Sequence, residues 1–394
     1  MAAHDVHFEG LAAPLRTVNC EDIIEGLAGY LPGWPFVVSA PGTAPECALL
    51  AFNGSAYMVR SRHTAAPRIH KTPVNAICDI LSILASAMIA EEDRLLCFHS
   101  AALEIDGGLV LFPAVRRAGK STLAAALMAR GAKLFTDDWL PVPRGEDGRW
   151  RGRATGISAR LRMPLPEGLP EAVQGYIAAH PGPENRQYRY LPGPEVAPHG
   201  RQLPIRSIVL LDREEGATPE VTPVSQEDLL GKLAYQNFSR GVPAGEALSA
   251  LVDLARSAPA VRLRYDDPGA AAEIVLGGLP RGSAAAPEPV RFPEPGPRLD
   301  RAPLETGIAY RRTRFAQLQD AGEVWVGASS DGRQILRFDA AAVGVLDLLE
   351  DPLTPAEIVG MIREAFPAAD PAEIEANTLG ILRNFLKVGY IART

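Results

Sequence analysis

The residues able to do chemistry gather between Leu109 and Val142, LVLFPAVRRAGKSTLAAALMARGAKLFTDDWLPV. Ala114, Val115, Arg116, Arg117, Ala118, Gly119, Lys120, Ser121 and Thr122 form a loop ending in Gly-Lys-Ser-Thr, and the adjacent acids Asp137 and Asp138 follow. A strand, such a loop and a helix make a phosphate cradle, because loop N–H groups and the helix N-terminus face anionic oxygens. In that arrangement Lys120 reaches β- and γ-phosphates and the Ser121 hydroxyl binds Mg²⁺, so ATP and Mg²⁺ are the expected cofactors. Two tandem acids can share the rest of a phosphoryl transfer, one as base toward an acceptor hydroxyl and its neighbour toward the metal. Ala114 stands where the pattern usually has Gly, which costs little unless the position needs positive φ. Arg116 and Arg117 either neutralise phosphates or face solvent. The bland alternative is a chance match on a capped amphipathic helix; the strand before it and the acids after it count against that.

The flanking elements follow from pattern. Leu109 to Phe112 is an apolar run short enough for a buried strand, a helix runs to about Arg130, and Lys133 to Phe135 is a second short strand. Upstream, LLCFHSAALEIDGGLVLFP reads as two strands joined at Asp106-Gly107-Gly108, with His99 at the end of the first. A lone His on an apolar segment is more often a satisfied core residue than a catalytic one. After Asp138 prolines crowd the chain between Pro164 and Pro204 and blur the pattern. Arg151, Arg153, Arg160 and Arg162 there either meet phosphates or form a solvated face, the latter for most of them. Ser207 to Leu211 and Val261 to Tyr265 read as strands, and 226–238, 245–257 and 268–276 as helices.

At 394 residues the chain is long for one core, and 22% charged with 47% hydrophobic residues is ordinary globular composition. A net charge of −7 argues against nucleic acid as a partner. Four scattered cysteines, with no C-x-x-C, fit a reducing, cytoplasmic setting rather than zinc or a disulfide framework. The N-terminus lacks the basic and apolar regions of a signal peptide. Val74 to Ala90 approaches a membrane span in length but carries Asp79 and reads as a buried helix, so no membrane association is expected.

These signals divide the chain into a β-rich N-terminal section with one helix (1–94), a phosphate-loop domain (95–279), a proline-rich linker (280–303) and a C-terminal module (304–394). Asn53-Gly54 marks a hairpin in the first. The last reads as a hairpin over Ser330-Asp331-Gly332 followed by three helices, with Asp339, the Thr354-x-x-Glu357 box and Asp370-Pro371 as helix starts. That is a winged-helix-like α+β module. A DNA-binding role conflicts with its thirteen acidic against nine basic residues over 305–394.

Residues 95–142 resemble the HPr kinase/phosphorylase family and its relatives that modify peptide precursors, in which a His, the phosphate loop and an Asp-Asp pair come in this order. The resemblance implies an α/β P-loop kinase domain with Asp137 as catalytic base, Asp138 with Ser121 on the metal side, and His99 hydrogen-bonded to Asp137. The reverse order of the acids stays open, since successive strand residues face opposite ways. The last 90 residues resemble PqqD-like peptide chaperones, through the hairpin, Phe338-Asp339-x-x-Ala342, Thr354-x-x-Glu357-Ile358 and Gly389-Tyr390-Ile391. That resemblance implies a leader peptide added as a strand along Gln334, Ile335, Leu336, Arg337 and Phe338. Together they imply an ATP-dependent kinase for a Ser or Thr of a ribosomally made precursor peptide, with assembly into a homo-oligomer as in related kinases. A nucleotide-gated chaperone without catalysis and a kinase of a small-molecule hydroxyl are the alternatives.

Overall fold

The computed structural model describes residues 2–62, 64, 66–92, 95–115, 118–239, 242–280, 292–296, 303–322 and 324–394. Arg116, Arg117 and most of the linker at 280–303 lie outside the described residues. Alternating apolar and polar residues begin the chain, and they form strands: β1 (Ala3–Phe8), β2 (Leu15–Val18), β3 (Phe36–Ser39), β4 (Ala48–Phe52), β5 (Tyr57–Ser61) and β6 (Arg68–His70). Their sheet has the order β3-β1-β2-β4-β5-β6, with α1 (Glu21–Tyr30) inserted between β2 and β3. The expected Asn53-Gly54 turn joins β4 to β5, with Phe52 opposite Tyr57 and Gly54 at a φ of +93° that only glycine adopts freely.

Helix α2 (Pro73–Glu91) starts where Thr72 accepts a hydrogen bond from the Asn75 N–H and Pro73 fills the first turn. It is long and apolar enough to cross a membrane, yet 67% of its apolar window is buried. Ile77, Ile80, Leu84 and Met88 share one core with Leu50, Val59 and Trp34. Its polar flank, including Asp79, faces the cleft described below.

Strands β7 (Leu96–Ile105) and β8 (Gly108–Pro113) form the expected hairpin across Asp106-Gly107. Then come α3 (Lys120–Met128), β9 (Lys133–Thr136), β10 (Trp139–Val142), β11 (Arg151–Arg153), β12 (Ala159–Arg162), α4 (Glu171–Ala179), β13 (Tyr188–Leu191), β14 (Gln202–Arg213) and β15 (Glu220–Pro223). Helices α5 (Gln226–Gln236) and α6 (Ala244–Ser257), strand β16 (Ala260–Tyr265) and helix α7 (Pro268–Gly277) complete this half. The main sheet runs β10-β7-β8-β14-β16-β15, with β9 also on β7 and β11 also on β14. β8, which feeds the phosphate loop, is parallel to β14 and buried along its whole length. That is why it reads as an unbroken apolar run rather than an alternating one.

The C-terminal part holds β17 (Tyr310–Arg312), β18 (Leu318–Asp320), β19 (Trp325–Ala328), β20 (Ile335–Phe338), α8 (Ala340–Leu348), α9 (Pro355–Ala365), α10 (Pro371–Val388) and β21 (Ile391–Arg393). The helix starts fall as the caps dictate. Asp339 accepts from the Ala342 N–H, Thr354 and Glu357 complete a capping box, and Asp370 accepts from the Ala372 N–H. Leu346, Ile358, Leu382, Phe385 and Tyr390 form the core. In the sheet β18-β19-β20, β20 is paired on one side only among the described residues, and β17 pairs with β21.

The mixed α/β class thus holds, and the chain divides into two compact units. The first comprises Met1–Val224, Tyr235–Gly241 and Ser257–Ala286; the second comprises Ser225–Ala234, Val242–Arg256 and Pro287–Thr394. Two consequences depart from the sequence-based bounds. The N-terminal section shares one unit with the phosphate-loop section, and α5 and α6 group with the C-terminal hairpin and helices. The first is visible at Trp34 and Trp139, whose rings stand 6.3 Å apart across the same core.

Candidate active site

Gly119 caps α3 at a φ of +88°, and a Cβ there would lie 2.5 Å from the Tyr265 hydroxyl, so this position needs glycine twice over. Ala114, by contrast, is not among the residues of positive φ, and its methyl is buried, which explains why the departure from glycine is tolerated. Lys120 is only 8% exposed. Its ammonium donates to the Ala114 and Val115 carbonyls and lies 3.2 Å from His99 Nε2. The lysine therefore bridges both ends of the loop and is not the surface side chain its place at a helix mouth suggests.

The acids sit where the β9–β10 edge of β7 opens: Ala102 pairs with Thr136 and His99 with Trp139, leaving Asp137 and Asp138 between the two strands. In an unbroken strand their side chains would face opposite ways; here both line one cleft. Asp137, 7% exposed, accepts from the Arg160 N–H at 2.8 Å and lines the cleft together with Ser121. Burial pushes its carboxyl above the usual range, with the Asp138 charge adding to the rise. Asp138 lies 3.1 Å from His99 Nδ1 and accepts from the Arg160 guanidinium at 3.0 Å. Burial alone would raise it too, but the His99 hydrogen bond and the charges of Arg160, His99 and Lys120 outweigh that and hold it down to about 2.

His99 thus meets Asp138 and not Asp137, a correction to the expectation from resemblance. The cause is geometric: His99 stands opposite Trp139, one residue from Asp138 and two from Asp137.

Arg160, grouped in sequence with solvated arginines, belongs to the centre of the site. Its backbone holds Asp137 and its side chain holds Asp138, while its guanidinium lies 5.0 Å over the Tyr188 ring. The Asp138 charge, acting against burial, raises its proton affinity, so it stays charged. The alternation in Ala159-Arg160-Leu161-Arg162 was the available signal: two small or apolar residues turn into the core and two arginines turn out. Arg151 and Arg153 instead pair with Asp147 and Glu92.

The cleft measures about 860 Å³ and is walled by α2, the phosphate loop, the acids and β12. Arg68 and His70 of β6 both bind Asp79 of α2 within it, His70 at 3.0 Å. Arg213 lines it beside Gly119. The oxygen donors Ser121 and Asp137 suit Mg²⁺, which takes one or two carboxylates and completes its shell with phosphate and water oxygens.

The second sequence-based site lies in the other unit. Gln334 precedes β20 and closes the hairpin, accepting at its carbonyl from Ser329 N–H at 2.9 Å. Ile335 and Arg337 are exposed, whereas Leu336 and Phe338 are half-buried, Phe338 lying 5.7 Å from Phe385 of α10. Arg337 pairs with Glu227 of α5.

No family model matches this chain, and no curated protein matches it. Among solved structures it is similar to the Hpr(Ser) kinase/phosphatase from Coxiella burnetii, at 14% identity over 46% of this chain and 93% of that one, with a TM-score of 0.23. At that identity and score the likeness carries no weight for function, and the chemistry rests on the geometry of the cleft.

Proposed function

We propose that the first unit is an ATP-dependent phosphotransferase acting on a hydroxyl, and that its acceptor is a Ser or Thr of a precursor peptide whose leader adds to the β20 edge. The observation that carries the transferase reading is the convergence in one cleft of Lys120, Ser121, Asp137 and the His99–Asp138 pair. A site that had lost its chemistry would be free to lose one of these groups; all are present and line one cleft.

Of the two orders left open for the acids, we take the reverse. Asp137 lines the cleft beside the phosphate-loop Ser121 and is assigned to the metal side, where bound Mg²⁺ would neutralise charge on the phosphates. Asp138 faces the cleft with 34% of its side chain exposed and is oriented by His99, so it takes the acceptor proton. His99 holds that carboxylate in place, and Lys120 brings positive charge to the β- and γ-phosphates. Arg160 keeps both acids apart and fixed, which spares the transition state the cost of ordering them.

The peptide reading is supported by an open strand edge flanked by α10. Incubating the protein with ATP, Mg²⁺ and precursor peptides encoded beside its gene, followed by intact-mass analysis, tests it. A gain of one phosphoryl group on a Ser or Thr is expected. Phosphorylation of a small hydroxy compound in place of every peptide would overturn the acceptor assignment.

A further inference from the structure

Arg160 and Arg162 are two apart on β12, so their side chains leave the same face of the strand. Both lie over the ring of Tyr188, at 5.0 and 5.9 Å. Arg160 is committed to the acids. Arg162 is exposed, lines the cleft, and has no carboxylate within ion-pair distance among the described residues. The other cleft arginines differ: Arg68 pairs with Asp79 and Arg213 with Asp266. Beside Arg162 the cleft is polar, since Gln187 follows on the paired strand's approach and accepts a hydrogen bond from Asn75 of α2. A guanidinium kept charged, seated on an aromatic face and left without a counter-ion is a ready carboxylate receptor.

We propose that Arg162 is an acceptor subsite that binds a carboxylate side chain two residues from the phosphorylated hydroxyl in an extended peptide. The inference rests on the transferase reading above, which places the hydroxyl at Asp138. One strand step of two residues spans about 6.6–7 Å, and that is the spacing between alternate side chains of an extended peptide as well as between Arg160 and Arg162. With the hydroxyl at the Asp138–Arg160 pair, the side chain two positions along reaches Arg162. The favoured acceptor is therefore Ser or Thr with Glu or Asp two places away, and not one with a neutral or basic residue there.

The test uses the full chain and peptides with a single Ser and Glu, Gln or Lys two positions to either side. Both kcat/KM with ATP–Mg²⁺ and peptide affinity by equilibrium titration are measured. The Glu peptide should exceed its Gln isostere by about tenfold or more in both, as a charge-assisted bond allows. Arg162→Gln should erase that preference, and Arg162→Glu should transfer it to the Lys peptide. Phosphorylation without a Glu preference would overturn the subsite and leave the kinase standing. A Glu preference in binding without any phosphorylation would keep the subsite and overturn the kinase. A loss of nucleotide affinity in Arg162→Gln, with peptide preference intact, would give the arginine to the nucleotide and overturn the subsite as well.

Discussion

His99 Nδ1 lies 3.1 Å from an oxygen of Asp138, while its other ring nitrogen lies 3.2 Å from the Lys120 ammonium. One imidazole thus joins the group that would draw on phosphate charge to the group that would take the acceptor proton. His99→Gln keeps a hydrogen-bond donor but not the fixed ring. It should lower kcat by about 10²-fold, the usual scale for a group that orients a base, and change nucleotide affinity little. Single-turnover phosphorylation beside nucleotide titration measures the two; an unchanged rate constant would remove His99 from the chemistry.

The two acids separate by metal dependence. Asp138→Asn should lose transfer with nucleotide affinity held within a few-fold. Asp137→Asn should instead raise the Mg²⁺ concentration needed for nucleotide binding. Calorimetric titration of nucleotide across a Mg²⁺ series distinguishes them, and opposite phenotypes would restore Asp137 as the base.

Asp137 also predicts a pH dependence of stability. Its folded-state carboxyl holds a proton more tightly than in the unfolded chain. Its contribution is therefore favourable at acid pH and is lost as pH rises through the folded-state value. Asparagine does not ionise and so removes this dependence. Asp137→Asn should raise Tm at pH 7, on the scale of about 1 kcal/mol common when a functional group is neutralised, with the gain shrinking as pH falls. Asp138, held low, has the opposite sign: its contribution is present at neutral pH and fades below the ordinary carboxylate range. Scanning calorimetry of both Asn variants from about pH 2 to 8, a span that brackets the ordinary carboxylate range, checks the pair; parallel curves for the two would contradict the assigned environments.

Lys120 calls for methionine rather than alanine. Because its stem is buried and its ammonium ties the loop ends, Lys120→Ala would open a void as well as remove the charge. Lys120→Met should keep the fold by circular dichroism and lose transfer by about 10²-fold or more. A folded methionine variant with wild-type turnover would end the transferase reading.

On β20 the hairpin bond from Ser329 N–H to Gln334 O fixes which backbone groups point where. Hydrogen-bonded pairs alternate along an antiparallel ladder, so Leu336 and Phe338 bond to β19 while the N–H groups of Ile335 and Arg337 point away from it. Both Ile335→Pro and Arg337→Pro should weaken leader binding in a folded chain, whereas Leu336→Pro should disrupt the hairpin itself. Leader affinity unchanged in both outward variants would place the peptide elsewhere.

Much of this site could be read from sequence because its signals are local. Gly119-Lys120-Ser121 opens a helix after a buried strand, and Asp339, Thr354 and Asp370 cap the helices they precede. What escaped was non-local. Arg160 reaches Asp138 across 22 residues, through a glycine- and arginine-rich stretch of turns and short strands that hides the strand carrying it. Asp79 looked like a blemish on an apolar helix, and only folding brings Arg68 and His70 of β6 to it. That both acids line one cleft depends on a break in the ladder at β7, which no spacing announces.

The bounds of the two units also change what can be cut apart. The chain enters the second unit at Ser225, returns at Tyr235, leaves again at Val242 and returns at Ser257 before its final departure at Pro287. Severing the proline-rich segment would leave α5 and α6 attached to the wrong fragment, and residues 304–394 alone would lack two of their own packing helices. The chain thus visits the second unit twice before the linker, so one cut at the linker does not release a fragment that keeps all of that unit's segments.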